Sequence, residues 1–391
     1  MKLKTVRDLQ VKKKKVLLRV DYNVPLVDRE VGDPLRIEAS FDTIRYLLKQ
    51  DCAIILISHL GRPDGKPSKE LSLAPVAKRA AELLDHPIAF IPECVGPQAT
   101  AAAKALQPGE IILLENLRFH SDEEENKPAF ARQLADLAEV YVDDAFAAIH
   151  RSHASTVGVT EFLDSAAGFL VEKEIEHITG ALKHSASPRV AVVGGAKVST
   201  KVEVLDNLIK HVDKVVIGGA MANTFLAALG HPVGKSRQEP DAYEEALRII
   251  EDCKKAGVDI VIPEDVVVSK SVEKGPGRLI GIGEVEADDY IVDLGPKTVS
   301  RILNPIDFHG SVIWNGPLGV TEVPAFAHYS HLLAENIIEA GVDCIIGGGD
   351  TAAFVDGAGL HDKFTWVSTG GGASLELMSG KTLPGIKVLQ A

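Results

Sequence analysis

Short runs of valine, isoleucine and leucine recur along the chain, and stretches with helical spacing lie between them. In the first half the runs are Val16–Val20, Ala53–Ser58, Ile111–Leu114 and Val140–Val142. In the second half they are Val190–Val193, Lys214–Ile217, Asp259–Ile262, Ser311–Trp314, Cys344–Ile346 and Thr365–Ser368. Runs this short and this apolar suit parallel strands buried on both faces. Between them, segments such as Ala74–Leu84, Ala129–Leu137, Thr200–Ile209, Ala242–Ala256 and Ala325–Ala340 carry helical periodicity. The alternation predicts an α/β fold made of two Rossmann-like parallel-sheet domains. A chain of 391 residues is also too long for one ordinary core. The stretch from Gly168 to about Lys183 reads as an amphipathic helix joining the two blocks, stopped by Ser185-Ala186-Ser187-Pro188. The expected division is an anion-binding domain over 1–170, a connecting hinge over 171–187 and a second domain over 188–379.

A net charge of −13 argues against general binding to nucleic acid or to anionic membranes. It leaves room for a small anion held by a local cluster of arginines. Cys52, Cys94, Cys253 and Cys344 form no Cys-x-x-Cys pair and sit beside apolar residues, which predicts buried free thiols and fits a reducing cytoplasm. The Lys12–Lys15 run precedes a strand broken by Arg19 and Asp21, not the apolar core of a signal peptide. No apolar run approaches the ~18 residues that a membrane-spanning helix needs.

Ligands of open parallel sheets bind beyond the carboxyl ends of the strands. In the first half those ends deliver Arg19-Val20-Asp21-Tyr22-Asn23, Ser58-His59-Leu60-Gly61-Arg62, Glu115-Asn116-Leu117-Arg118, and Asp143-Asp144 followed by His150-Arg151-Ser152-His153. Arg36, in an expected loop after Gly32-Asp33-Pro34, is a candidate to join them. Guanidinium forks match carboxylate and phosphate oxygens. Several converging arginines would bind a small multivalent anion, whereas any single one could be a surface ion pair. His59 and His150 read equally well as packed loop residues, and no His/Cys spacing supports a structural metal.

The second half offers glycine-rich turns after strands: Gly194-Gly195-Ala196-Lys197, Gly347-Gly348-Gly349-Asp350-Thr351 and Ser368-Thr369-Gly370-Gly371-Gly372. Such turns let phosphates approach backbone amides. Lys197 and Lys201 share a face if the helix has begun by then. Asp350 could reach a nucleotide-bound Mg²⁺ or simply cap a helix. Gly234-Lys235-Ser236 and Gly380-Lys381-Thr382 lack the earlier glycine of a P-loop.

Taken together, these strings resemble the phosphoglycerate kinase family. The resemblance rests on Arg19-Val-Asp-Tyr-Asn-Val-Pro-Leu26, Ser58-His-Leu-Gly-Arg-Pro63, Glu115-Asn-Leu-Arg-Phe119, Gly194-Gly-Ala-Lys-Val198, Trp314-Asn-Gly-Pro317, Gly347-Gly-Gly-Asp-Thr351 and Ser368-Thr-Gly-Gly-Gly-Ala-Ser-Leu-Glu376, in the family's order. It implies that Asp21, Asn23, Arg36, His59, Arg62, Arg118 and Arg151 bind 3-phosphoglycerate. It implies that Gly195, Lys197, Lys201, Asn315, Glu322, Gly348, Gly349, Asp350 and Thr351 serve ATP or ADP, with Asp350 as the Mg²⁺ ligand. Arg36, Lys197, Gly371 and Gly372 would surround the phosphoryl group in transfer. It also implies a monomer, with small-molecule substrates as its only partners, whose segment 380–391 returns to the first domain. The sites would face each other across a cleft that closes for reaction, hinged at the connecting helix and the loop after Leu383. The sequence departs from the family at Ala147-Ala148-Ile149, Thr321 and Pro324, none of which is a charged ligand.

Two other classes share parts of this pattern. A nicotinamide-dependent dehydrogenase would need a Gly-x-Gly-x-x-Gly turn after a strand, and no strand here is followed by one. A two-domain anion-binding protein would not need the second set of glycine turns with lysines, and it would not turn over ATP.

Overall fold

The computed structural model describes residues 3–183, 186–304 and 310–390. Ser185 of the expected helix stop and Ala391 of the expected returning segment lie outside them. The chain forms two compact units, Met1–Ile175 with Thr382–Ala391, and Glu176–Lys381.

The first unit contains β1 (Lys15–Arg19), a small antiparallel hairpin of β2 (Leu26–Val27) and β3 (Glu30–Val31), then β4 (Ala53–Ile57), β5 (Ile88–Ile91), β6 (Ile111–Leu114), β7 (Val140–Asp143) and β8 (Asp164–Ala167). Six of these form one parallel sheet in the order β5-β6-β4-β1-β7-β8. Its apolar runs are buried on both faces, and alternate residues belong to different cores. Val16, Leu18, Ile54 and Leu56 join one cluster, while Leu17, Ala53, Ile55 and Ile57 join the other. That two-sided burial is why the strands read as unbroken apolar runs.

The C-terminal segment packs on this unit. Leu3 bridges Gln390, and Gly385 N–H donates to the Ile149 carbonyl at 2.9 Å. A Cβ at Gly385 would stand 2.4 Å from Ile149 Cγ1, so the glycine there fits the isoleucine that marks this chain's departure. Leu383 is followed by a short helix, Pro384–Val388, where a loop is expected.

The second unit contains β9 (Arg189–Val193), β10 (Lys214–Ile217), β11 (Asp259–Val261), β12 (Asp265–Ser269), β13 (Arg278–Gly281), β14 (Tyr290–Leu294), β15 (Ser311–Asn315), β16 (Asp343–Gly347) and β17 (Trp366–Val367). Six of them form a second parallel sheet, β11-β10-β9-β15-β16-β17. The other three, in the order β13-β12-β14, make an antiparallel sheet that the sequence reading lacks.

The connecting helix spans Phe169–Lys183. Its first amides are capped from far away in sequence. Phe169 N–H donates to Thr43 Oγ1 at 2.9 Å and Leu170 N–H to Asp144 Oδ1 at 2.8 Å. Satisfying these otherwise orphan donors fixes where the helix begins. All four cysteines are buried free thiols. No described helix is long and apolar enough to cross a membrane.

Candidate active site

The four central strands of the first sheet, β6-β4-β1-β7, are parallel neighbours, so their carboxyl-end loops emerge along one edge. The structure ties four of the expected residues into one network there, through the backbone of Gly61. Arg36 donates to Asp21 Oδ2 at 2.9 Å and to the Asn23 carbonyl at 3.2 Å. Asn23 Oδ1 accepts from Gly61 N–H at 2.9 Å, and Arg118 donates to the Gly61 carbonyl at 2.8 Å. Arg36 is not in a loop as expected; it lies on the one-turn helix Leu35–Glu38. Arg62 is exposed and has no side-chain partner among the described residues.

His59 is the centre of the charge cluster. Burial pushes its pKa well below the ordinary value, and the charges of Arg19, Arg118 and Arg151 push the same way. His59 Nδ1 accepts from the Arg19 guanidinium at 2.9 Å. Because arginine only donates, the neutral ring must carry its proton on Nε2. Burial likewise takes His153 down to about 3, again aided by the same three arginines. Gathered cations depress one another's proton affinity, and an incoming anion relieves the repulsion. His59 is therefore expected to stay neutral, with Nδ1 unprotonated, from pH 6 to 8; ¹⁵N–¹H NMR of the imidazoles checks it.

Arg19, Ser155 and Glu123 form a supporting layer that sequence reasoning missed as site residues. Arg19 is 1% exposed, and its Nε donates to Ser155 Oγ at 3.0 Å. Ser155 in turn gives its N–H (2.9 Å) and its hydroxyl to the fully buried Glu123 carboxylate. Burial raises the Glu123 pKa, opposed by Arg19 and by the Ser155 hydrogen bonds. The available signal was an arginine closing an otherwise apolar strand, Val16-Leu17-Leu18-Arg19.

In the second unit, the turns after β9, β10, β15, β16 and β17 share one edge of the sheet. Their backbones pack at distances only glycine permits. A Cβ at Gly194 would lie 2.1 Å from the Pro317 carbonyl oxygen, and one at Gly316 only 2.3 Å from that of Gly194. Lys201 Nζ donates to Asn315 Oδ1. Asn315 is 1% exposed, and its Nδ2 is a buried donor with no partner among the described residues. It sits 3.2 Å from where a Cβ on Gly347 or Gly348 would be. Burial pulls the Lys201 pKa down to about 8, opposed by the charge of Asp350. Thr351 is buried and accepts from Gly316 N–H through Oγ1 at 2.7 Å. Gly371 lies beside Gly349, whose amide nitrogen is 4.0 Å from a would-be Gly371 Cβ.

The expected shared face of Lys197 and Lys201 is not formed. The helix starts only at Val202, with Lys201 as its cap, so Lys197 lies in the preceding turn, exposed and without a side-chain partner among the described residues. Asp350 opens the helix Gly349–Gly357, exposed, its carboxylate with no hydrogen bond or ion pair among the described residues. A lone carboxylate beside amide-rich turns fits Mg²⁺, which usually takes one or two carboxylates and fills its shell with phosphates and water. Each acid of the one described cluster of three, Glu286, Asp288 and Asp289, is already ion-paired with Lys270, and Glu286 and Asp289 also with Arg278.

A cavity of about 330 Å³ adjoins this rim. Gly195, Glu322 and Asp350 line it together with Ile291, Val292 and Leu318. The apolar wall and Arg237, which also lines it, escaped sequence reasoning because Ile291 and Val292 belong to β14, a strand that reading lacks, and Leu318 and Arg237 to loops with no repeated pattern.

An α/β chain with guanidinium groups at the strand ends of one sheet, and a lysine among glycine turns at those of another, has the parts of a phosphoryl-transfer enzyme. Comparison with known proteins narrows the class. The family model described as phosphoglycerate kinase matches residues 6–381. The chain is 47% identical over 386 residues to a phosphoglycerate kinase of Moorella thermoacetica, covering 98% of each chain. It is 46% identical over 388 residues to that of Dictyoglomus turgidum, again covering 98% of each. The solved structure of phosphoglycerate kinase from Coxiella burnetii superposes with a TM-score of 0.89 at 38% identity, covering 99% of this chain and 98% of that one. The crystal structure of the Pyrococcus horikoshii enzyme gives 0.86 at 30% identity, with the same coverage. The chain belongs to the phosphoglycerate kinase family.

Proposed function

We propose that this chain moves a phosphoryl group reversibly between 1,3-bisphosphoglycerate and ADP, giving 3-phosphoglycerate and ATP. The observation that carries the reading is the pairing, within one family member, of the cation cluster around His59 with the Lys201–Asn315 rim. In this reading Asn23, His59, Arg62, Arg118 and Arg151 bind the phosphoglycerate. Asp21 orients Arg36 toward it. Gly195, Lys201, Asn315, Glu322, Gly348, Gly349 and Thr351 bind the nucleotide, and the unpartnered Asn315 Nδ2 suits a phosphate oxygen.

The acceptor in the reverse direction is a carboxylate, ionised at neutral pH. It needs no base. The buried acid beside the cluster, Glu123, is committed to Ser155 through both oxygens. The work left to the protein is positioning and charge stabilisation. Arg36, Lys197 and the amides of Gly371 and Gly372 are assigned to the transferring group. Mg²⁺ held by Asp350 and the nucleotide phosphates would neutralise phosphate charge. Closure of the two units over their ligands, a monomeric state and a cytoplasmic location complete the reading. A coupled assay with 3-phosphoglycerate, ATP and Mg²⁺ tests it. Turnover that needs all three is expected, and binding of phosphoglycerate without ATP consumption would favour a plain anion-binding protein.

A further inference from the structure

The cavity beside the glycine rim has two chemically different parts. Gly195 and Asp350 belong to the polar rim, while Ile291, Val292, Leu318 and Val320 form an apolar wall. A flat heteroaromatic ring against such a wall gains burial and dispersion. The wall itself cannot tell one purine from another, so discrimination depends on which polar groups reach the ring edge.

Those groups are few: besides Asp350 of the rim they are Glu322, already assigned to the nucleotide, Asp293 and Arg237. Asp293 lines the cavity but is spent: its Oδ1 accepts from Leu294 N–H at 2.9 Å and Ser330 Oγ at 2.8 Å, and its Oδ2 from Tyr329 N–H at 2.8 Å. Arg237 is the cation in the lining. Its backbone is fixed next to the apolar wall. Ser236 Oγ accepts from Ile291 N–H at 2.8 Å, and Asn223 Nδ2 donates to the Arg237 carbonyl at 3.1 Å. The guanidinium is exposed and has no hydrogen bond or ion pair among the described residues.

A guanidinium offers a fork of donors and no acceptor. A 6-oxopurine presents two adjacent acceptors, N7 and O6, which such a fork meets with two parallel hydrogen bonds. Adenine presents N7 beside an amino group, and that amino donor opposes the second arm of the fork. We propose that Arg237 is a base-specificity residue and that the nucleotide site of this chain prefers guanosine and inosine nucleotides to adenosine ones. The proposal rests on the reading of this rim as a nucleotide site. ADP remains a substrate in it, because the phosphate contacts are common to all three.

Calorimetric titration of the full chain with the Mg²⁺ complexes of ADP, IDP, GDP and 7-deaza-GDP tests it. IDP and GDP are expected to bind about ten-fold more tightly than ADP, the lower range for a good bidentate base contact. 7-Deaza-GDP, lacking the N7 acceptor, should lose most of that advantage. Arg237→Leu should abolish the preference. Arg237→Lys, which keeps the charge without the fork, should abolish most of it. Tightest binding of ADP by the natural chain would overturn the proposal, as would an IDP and GDP advantage unchanged in Arg237→Leu. An equal loss for all nucleotides in Arg237→Leu would place the guanidinium on a phosphate and overturn it too. GDP binding far more tightly than IDP would show that the 2-amino group is read instead. If no nucleotide binds at all, the underlying site assignment fails along with it.

Discussion

Replacing Arg36 by alanine should lower kcat about 10²–10³-fold, the usual cost of removing one donor aimed at developing charge, with little change in the KM for 3-phosphoglycerate. The expectation follows from how the side chain is held. Arg36 donates to Asp21 Oδ2 at 2.9 Å and to the Asn23 carbonyl at 3.2 Å, yet keeps 34% of its side chain exposed. Part of the fork is thus fixed by protein oxygens, and the rest is free to act. A group fixed before substrate arrives costs no reorganisation during reaction, which is what lets it favour the transition state over the ground state. The variant leaves the buried Asp21 carboxylate without its cation, so a stability loss of about 1–3 kcal/mol should accompany the kinetic defect. Steady-state kinetics and a thermal melt on the same sample separate the two. A raised KM with normal kcat would make Arg36 a binding residue only.

The fold was legible where burial alone decides structure. Val16-Leu17-Leu18 and Ala53-Ile54-Ile55-Leu56-Ile57 bury both faces, so composition was enough. Asp164-Ser165-Ala166-Ala167 carries no such signal. It becomes β8 because β7 offers it a parallel partner, Tyr141 opposite Ser165 and Val142 opposite Ala166. The antiparallel sheet of β12, β13 and β14 is a different case: Val266-Val267-Val268 is as apolar as the runs above, but its pairing with both Ile280 and Leu294 is not written in the run. Non-local pairing leaves no local trace when the strands are short.

The candidate site divides along the same line. Arg62, Arg118 and Arg151 announce themselves by following apolar strands. What Arg19 does cannot be read from its position, because its partners Ser155 and His59 lie 136 and 40 residues away. Lys197 and Lys201 would share a face only if the helix had begun before them, and it has not. The turn after β9 delays the helix to Val202, and periodicity cannot reveal where a helix starts when the preceding glycines set the backbone.

Lys201 should make nucleotide affinity depend on pH in a definite direction. Its ammonium is largely buried beside Asn315, and burial takes its pKa down to about 8. Phosphate oxygens next to an ammonium favour its charged form, so the pKa must rise when nucleotide binds. Between the two values the complex holds one proton more than the free protein. Affinity for MgADP should therefore be flat between about pH 7 and 8 and fall as pH rises above 8, by at most about ten-fold per pH unit. The terminal phosphate of a nucleotide is itself ionised well below this window, its last pKa being about 6, so the slope belongs to the protein. Removing the side chain removes both the slope and a charge-assisted contact commonly worth about 1.5–3 kcal/mol. Lys201→Ala should bind MgADP about ten- to a hundred-fold more weakly at pH 7.5 and show no fall between pH 8 and 9.5. Affinity for 3-phosphoglycerate should be nearly unchanged, because the residues assigned to it belong to the other unit. Calorimetry at several pH values, in buffers of different ionisation enthalpy, measures affinity and proton uptake together. Proton uptake near pH 8.5 in the natural chain, absent in Lys201→Ala, is the expected signature; the same slope in both proteins would remove Lys201 from the phosphate site.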